Sequence, residues 1–402
     1  MRNKKITRRG FLGTAAGLGL GSLALPAVSQ HSSEDSHERT AQGAGGSGDS
    51  AAGRSQRAGD WKSTSHQPPR KVIVGTVMQP LWGKYPGLET RLQQLTEIVD
   101  RLQAQSQKQY GRGLDLAVLP ETAVSGEAAR HVSDSSYPWA GPVQEAFTQK
   151  ARQHHCYIVA PLYLLEDKAT KRCSNAALLI GRQGELAGIY RKVHLVVDRD
   201  DDSMEHGCTP GREEPVFSCD FGKLGIQICY DIEFDQGWTE LARKGAEIVA
   251  WPSQSPQRTR PGARAAEGPY YIVSSTWRTD ACVFEPTGRI VSQVEWKPSM
   301  GSVDSAGGRS LVGNILVQEI DLSYAILGWS PTLNQGELFT KSFGDRAGFR
   351  YYVDDDRGIF WSNDPKMTVR QMIEVLGLTE QKDQLRQARE AYRKAGNRAY
   401  RA

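Results

Sequence analysis

The sequence predicts an α/β protein built on mixed sheets, and three observations carry that reading. Short apolar runs alternate with amphipathic helical stretches through the first and middle parts of the chain. Between them, pairs of apolar runs face each other across Gly-containing turns, as hairpins do. The runs are rich in Val, Ile and Leu with few polar interruptions, as in strands covered on both faces. An all-parallel nucleotide-binding sheet is not expected, since no GxGxxG follows a strand-like apolar run and no Walker loop is present. No internal repeat is visible.

In chain order, VIVGTVMQ (72–79) reads as a buried strand. LETRLQQLTEIVDRLQAQ (88–105) carries apolar residues at helical spacing, from Leu88 and Leu92 to Val99 and Leu102. LDLAVLP (114–120) is a second strand. A helix near 141–154 leads into CYIVAPLYLL (156–165). NAALLIG (175–181) and ELAGIYRKV (185–193) form a hairpin across Arg182-Gln183-Gly184. KLGIQIC (223–229) is a strand, and a helix near 236–244 precedes AEIVAWPS (246–253). ARAAEGPYYIVSST (263–276) is a short helix and a strand. ACVFEPTGRIVSQVE (281–295) is a hairpin turning at Thr287-Gly288. A polar loop (296–312) precedes the strand NILVQEIDL (314–322). The last 70 or so residues read as amphipathic, charged helices, MTVRQMIEVLGL and QKDQLRQAREAYRKA, in a packed appendage or partner-binding arm.

The N-terminus reads as an export signal. Arg8-Arg9-Gly10-Phe11-Leu12 is a twin arginine followed by an apolar pair, then a mild Gly/Ala-rich run to Pro26-Ala27. Residues 29–69 are rich in Ser, Gly and charge and are expected to be a disordered linker. The organisation expected is a signal at 1–28, a linker at 29–69, a main domain at 70–325 and a C-terminal extension at 326–402. The formal charge is +4, but the first 28 residues hold five basic side chains and no acid. The rest of the chain has 45 basic against 46 acidic side chains and sits near −1. No basic stripe with interleaved aromatics stands out, so nucleic acid is not an expected partner. Beyond the signal, no stretch approaches a membrane span.

The six cysteines show no CxxC and no zinc spacing. Cys208 and Cys219 flank a turn-rich segment where a pair after export is conceivable; the others read as small buried residues.

Three apolar segments end on residues suited to one reaction. Glu121 follows LDLAVLP, where partial desolvation suits a general base. Cys229 closes KLGIQIC ahead of a helix, whose positive end favours thiolate and would aim the Tyr230 N–H at the same spot. Lys192 follows a hairpin strand and carries a fixed charge that can stabilise an oxyanion. Base, nucleophile and electrostatic stabiliser are then supplied with no metal and no cofactor. Taken singly, each residue has a plain structural reading: a loop cap, a surface lysine, a core thiol.

These segments resemble the nitrilase, or carbon–nitrogen hydrolase, superfamily. The resemblance lies in Pro120-Glu121 with Gly126, Tyr190-Arg191-Lys192-x-His194-Leu195, Pro210-Gly211, the run Gly225 to Asp231, and the hairpin Glu285 to Gly288. It covers roughly residues 70–325 and implies a four-layer α-β-β-α sandwich with mixed sheets. It also implies a catalytic Glu121, Lys192 and Cys229, a supporting Glu205 just before the Pro-Gly, and a homo-oligomer. Glu205 shares its loop with Asp198, Asp200, Asp201 and Asp202. Tyr230-Asp231 directly after the cysteine resembles the amidase and carbamoylase branches rather than true nitrilases. A small-molecule linear amide or N-carbamoyl amide is therefore expected as substrate, with a nitrile as the alternative. Two stretches depart from the family pattern: Phe234-Asp235-Gln236, and Arg264-Ala265-Ala266-Glu267-Gly268, which lacks the usual Asn.

Two rival readings stay open at this stage. One is a papain-like cysteine protease with His194 as base; the other is an exported, non-catalytic binding protein on the same fold. The signal places either, like the hydrolase, in the periplasm or outside the cell.

Overall fold

The computed structural model describes residues 64–198, 203–294, 314–397 and 399. The export signal, the linker up to residue 63, Asp200 to Asp202 and the 296–312 loop lie outside the described residues.

The chain begins with β1 (Lys71–Val77), α1 (Leu88–Tyr110), β2 (Leu116–Val118), α2 (Pro142–His154), β3 (Tyr157–Asp167), β4 (Arg172–Ile180) and β5 (Leu186–Arg191). There follow β6 (Val216–Cys219), β7 (Gly222–Ile226), α3 (Asp235–Arg243), β8 (Ile248–Ser253), α4 (Thr259–Glu267), β9 (Tyr271–Thr276), β10 (Cys282–Phe284) and β11 (Ile290–Gln293). The remainder is β12 (Ile315–Asp321), β13 (Tyr324–Gly328), α5 (Glu337–Phe343), β14 (Ala347–Tyr352), β15 (Arg357–Ser362), α6 (Val369–Val375) and α7 (Gln381–Lys394).

Two six-stranded sheets form, in the orders β12-β1-β2-β3-β4-β5 and β11-β10-β9-β8-β7-β6. Each has a parallel trio, β1-β2-β3 or β7-β8-β9, continued by an antiparallel hairpin. The two halves thus repeat one plan that the sequence does not display. Alternation along each strand sorts side chains between layers. In β1, Ile73 and Val77 pack under α1 and α2, whereas Val72 and Val74 enter the core between the sheets. In β8, Ile248 and Ala250 face that same central core, whereas Val249 and Trp251 pack against α3 and α4. The result is the four-layer α-β-β-α sandwich.

Two differences from the sequence reading stand out. The C-terminal stretch is not helical alone: β13-β15-β14 form a third, antiparallel sheet, on which α5 and α6 pack. Its Ile359 reaches the core between the main sheets. The end of the expected linker is also ordered, since Ser65 is fully buried and its carbonyl accepts the Arg370 N–H at 3.1 Å. Among the described residues no helix is long and apolar enough to cross a membrane.

Candidate active site

Parallel strands in both sheets deliver side chains to one end of the sandwich. A parallel bridge from Met78 to Thr276 joins the β1 and β9 ends across the two sheets. Glu121 lies beyond the carboxyl end of β2, Lys192 directly beyond β5, and Cys229 beyond β7. The carboxyl ends of parallel strands are where such sheets leave a crevice.

The structure brings Glu121, Lys192 and Glu205 into direct contact. The Lys192 ammonium donates to Glu121 Oε1 at 2.9 Å and to Glu205 Oε1. All three side chains are nearly closed to solvent, Lys192 being only 1% exposed. Burial alone would discharge the amine, but Glu121 and Glu205, with Cys229 behind them, outweigh it and hold Lys192 well above the usual lysine range. A buried ammonium between two carboxylates leaves a net negative cluster, which needs further donors. Asn175 on β4 supplies them, its Nδ2 lying 2.9 Å from Glu121 Oε1 and 2.9 Å from Glu205 Oε2. The Gln254 N–H donates to the second Glu121 oxygen at 3.0 Å, and the Trp277 indole to the Glu121 carbonyl at 2.7 Å. Asn175 was not anticipated from the sequence; the available signal was a carboxamide set in an otherwise apolar strand.

Glu205 and Asp198 have different tasks although they share a loop. Asp198 Oδ2 accepts from Ser203 Oγ at 2.8 Å and the His206 N–H at 2.7 Å, closing the turn. Glu205 takes the left-handed conformation at φ 43° and faces Lys192.

Cys229 opens a short 3₁₀ turn, Cys229–Glu233, and is itself left-handed at φ 43°. A non-glycine residue held there costs about 1–3 kcal/mol and marks a position fixed by its surroundings. The first backbone bond of the turn runs from the Asp231 N–H to the Ile228 carbonyl at 3.0 Å, so the Tyr230 N–H lies before the bonded part. The Tyr230 side chain is largely exposed, and its ring packs edge-on against Phe234. The expected thiolate is not favoured here. Burial, and then the Glu121 charge, push the Cys229 thiol up to about 12; Lys192 and a Ser253 hydrogen bond only partly offset them. One five-residue 3₁₀ turn is too short to reverse this. Burial and the nearby Glu121 charge thus favour the thiol over the thiolate, an arrangement that calls for a base.

His194 is turned to other partners. Its Nδ1 lies 3.0 Å from Asp231 Oδ1, and its ring stacks on Phe234 with centroids 4.0 Å apart. All six cysteines are free. Cys208 packs with Cys173, whereas Cys219 borders the core between the sheets, so the 208–219 pair is not formed. Trp251 and Trp277 are core residues, and Trp139 packs partly buried on the core under α1 and α2. The two departures from the family pattern meet in space, because Arg264 pairs with Asp235. The glycine that replaces the usual Asn has a steric reason: a Cβ at Gly268 would lie 2.0 Å from the Tyr270 ring.

Residues 76–325 match the sequence model of the carbon-nitrogen hydrolase family. The chain belongs to that family. This carbon–nitrogen hydrolase is 29% identical over 157 residues to a deaminated glutathione amidase of Yersinia enterocolitica, covering 36% of this chain and 54% of that protein. It is 31% identical over 185 residues to the human deaminated glutathione amidase, covering 40% of this chain and 55% of the relative. The hydrolase thus spans about half the length of these curated relatives. Its fold is similar to that of Saccharomyces cerevisiae Nit3, a member of branch 10 of the nitrilase superfamily, with a TM-score of 0.50 at 19% identity, over 70% of this chain and 97% of that one.

Proposed function

We propose that this carbon–nitrogen hydrolase cleaves linear amides or N-carbamoyl amides through an acyl-enzyme on Cys229. The observation that carries the reading is Glu121, which is 2.9 Å from the Lys192 ammonium and near enough to Cys229 for its charge to raise the thiol. Glu121 takes the thiol proton as Sγ attacks the amide carbon. The Lys192 ammonium and the Tyr230 N–H stabilise the oxyanion. As the tetrahedral adduct collapses, Glu121 returns the proton to the leaving nitrogen, which departs as amine or ammonia. Water then gives a proton to Glu121 and its oxygen attacks the thioester. The sulfur leaves, recovers that proton, and frees the acid. Glu205 and Asn175 hold Lys192 and Glu121 in register throughout. Tyr230-Asp231 after the nucleophile, together with the amidase relatives, supports an amide over a nitrile.

The same proposal extends to the rest of the chain. Residues 1–28 act as a twin-arginine export signal and 29–69 as a tether. The catalytic unit is 70–325, with 326–402 as its extension. The enzyme works in the periplasm or outside the cell as a homo-oligomer.

Ammonia release from a panel of short amides, carbamoyl amino acids and nitriles tests the chemistry. Turnover of amides or carbamoyl compounds is expected, with activity lost in a folded Cys229→Ala variant. Full activity in that variant would sink the mechanism. Preference for nitriles would move the enzyme to the other branch, and no turnover on any compound would favour a binding protein.

A further inference from the structure

The lysine and cysteine segments belong to different sheets, and one buried carboxylate ties them together. Asp231 is fully closed to solvent. Its Oδ2 accepts from Tyr190 Oη at 2.7 Å and from the Ile228 N–H at 2.8 Å. Its Oδ1 accepts from the His194 N–H at 2.9 Å and lies 3.0 Å from His194 Nδ1. Tyr190 and His194 stand two residues either side of Lys192. Ile228 and Asp231 itself bracket Cys229. Both carboxylate oxygens thus bond to the segment bearing Lys192, and the Ile228 contact closes the turn bearing Cys229.

Core packing alone does not account for this residue. A buried carboxylate is costly unless its lone pairs are filled, and among the described residues no Lys or Arg pairs with it. An apolar side chain would fill the same volume without that cost. What a carboxylate supplies, and an apolar group does not, is directional attachment of two backbones from different sheets. The turn needs such attachment, since Cys229 sits at φ 43°. Two indoles hold the same turn from its other side: Trp251 Nε1 donates to the Cys229 carbonyl at 3.2 Å, and Trp238 Nε1 to the Asp231 carbonyl at 2.9 Å.

We propose that Asp231 is a positioning residue that fixes the distance and angle between the Cys229 sulfur and the Lys192–Glu121 pair. This rests on the acyl-enzyme reading. Asp231 does not touch the reacting atoms; it acts through the backbone on both sides of the crevice. Exchange to Asn keeps the volume but puts an NH₂ in place of one oxygen, where it faces either the Ile228 N–H or the His194 N–H, so one backbone attachment is lost.

The test compares wild type, Asp231→Asn, Tyr190→Phe and the double variant, each verified as folded by circular dichroism. Amide hydrolysis is resolved into kcat and KM, and alkylation of Cys229 by iodoacetamide is followed by mass spectrometry. Displacing the sulfur by a fraction of an ångström should lower kcat by about a hundredfold in Asp231→Asn while KM stays within about threefold. Tyr190→Phe removes one donor and should lower kcat by about tenfold, with the double variant losing less than the two single losses combined, since both changes act through the one carboxylate. The Cys229 alkylation rate should shift in parallel. A folded Asp231→Asn with wild-type kcat and alkylation rate would overturn the proposal, as would fully additive losses in the double variant. If Asp231→Asn does not fold, Tyr190→Phe decides by the same two readouts. If wild type turns over no amide, the hydrolytic reading falls, and the alkylation rates alone still decide whether Asp231 sets the thiol.

Discussion

Glu214 lies beside Asp231, close to the candidate active site, and gives the fold a pH dependence. The groups facing it are Asp231, the Gln227 side-chain amide, His194 and the Tyr190 hydroxyl. Burial, and then the Asp231 charge, push its carboxyl from an ordinary 4.5 up to about 7. The folded chain therefore holds a proton that the unfolded chain releases. The stability this proton contributes is complete below about pH 4.5 and is lost as the pH rises through about 7. The gap corresponds to about 3 kcal/mol, and the partial exposure of Glu214 reduces it to about 2 kcal/mol. Glu214→Gln mimics the protonated acid and removes the titration. Urea unfolding of wild type and variant between pH 4 and pH 8.5 brings out the contribution of Glu214, because titrating groups not coupled to it cancel in the difference. Wild type should lose about 2 kcal/mol relative to Glu214→Gln across that range, most of it between pH 5 and 7.5. Parallel stability curves for the two proteins would refute the reasoning.

Three further outcomes are expected. His194→Ala should lower kcat by no more than about tenfold, because the His194 N–H still donates to Asp231; a loss of several orders of magnitude would restore a histidine-based protease mechanism. Arg350→Leu leaves Glu285, fully buried and 2.7 Å from the guanidinium, without its cation, and should lower unfolding stability by about 3 kcal/mol; an unchanged urea midpoint would show that the C-terminal sheet is held by apolar contacts alone. A reporter fused to residues 1–30 should be exported with Arg8-Arg9 intact and retained when both become lysine. Export of the lysine version would refute the signal.

How much was legible follows from the range of each interaction. The central strands announced themselves because each is buried on both faces, as in Ile248 to Ser253, where all six residues are closed to solvent. The C-terminal strand Ala347–Tyr352 was not legible, since none of its residues is fully buried and its partner strand lies beyond it in the chain. β6 was hidden in the same way, being four residues long with no buried position. Glu121, Lys192 and Cys229 stood out because each follows an apolar strand. Glu205 could be picked out of its acidic loop only by resemblance; its left-handed backbone separates it from Asp198, and composition does not encode that. Asn175 reaches Glu205 and Glu121 across 30 and 54 positions, and Asp231 reaches His194 and Tyr190 across 37 and 41, beyond the reach of any local pattern. The thiol expectation failed for a related reason. It counted a helix end that is local, and missed burial and a carboxylate that tertiary structure brings in.

The closure between the first and last described segments bears on how this chain can be made. β1 is zipped on one side by β2 and on the other by β12, about 250 residues later. Ser65 bonds to Glu380, a separation of 315 positions. A nascent chain lacking its final third would therefore display β1 as a bare, apolar ribbon with free N–H and C=O groups, the kind of edge on which other chains add. Synthesis of β12, not local helix formation, is the step that seals β1, and fragments ending before it should need a holdase to stay soluble.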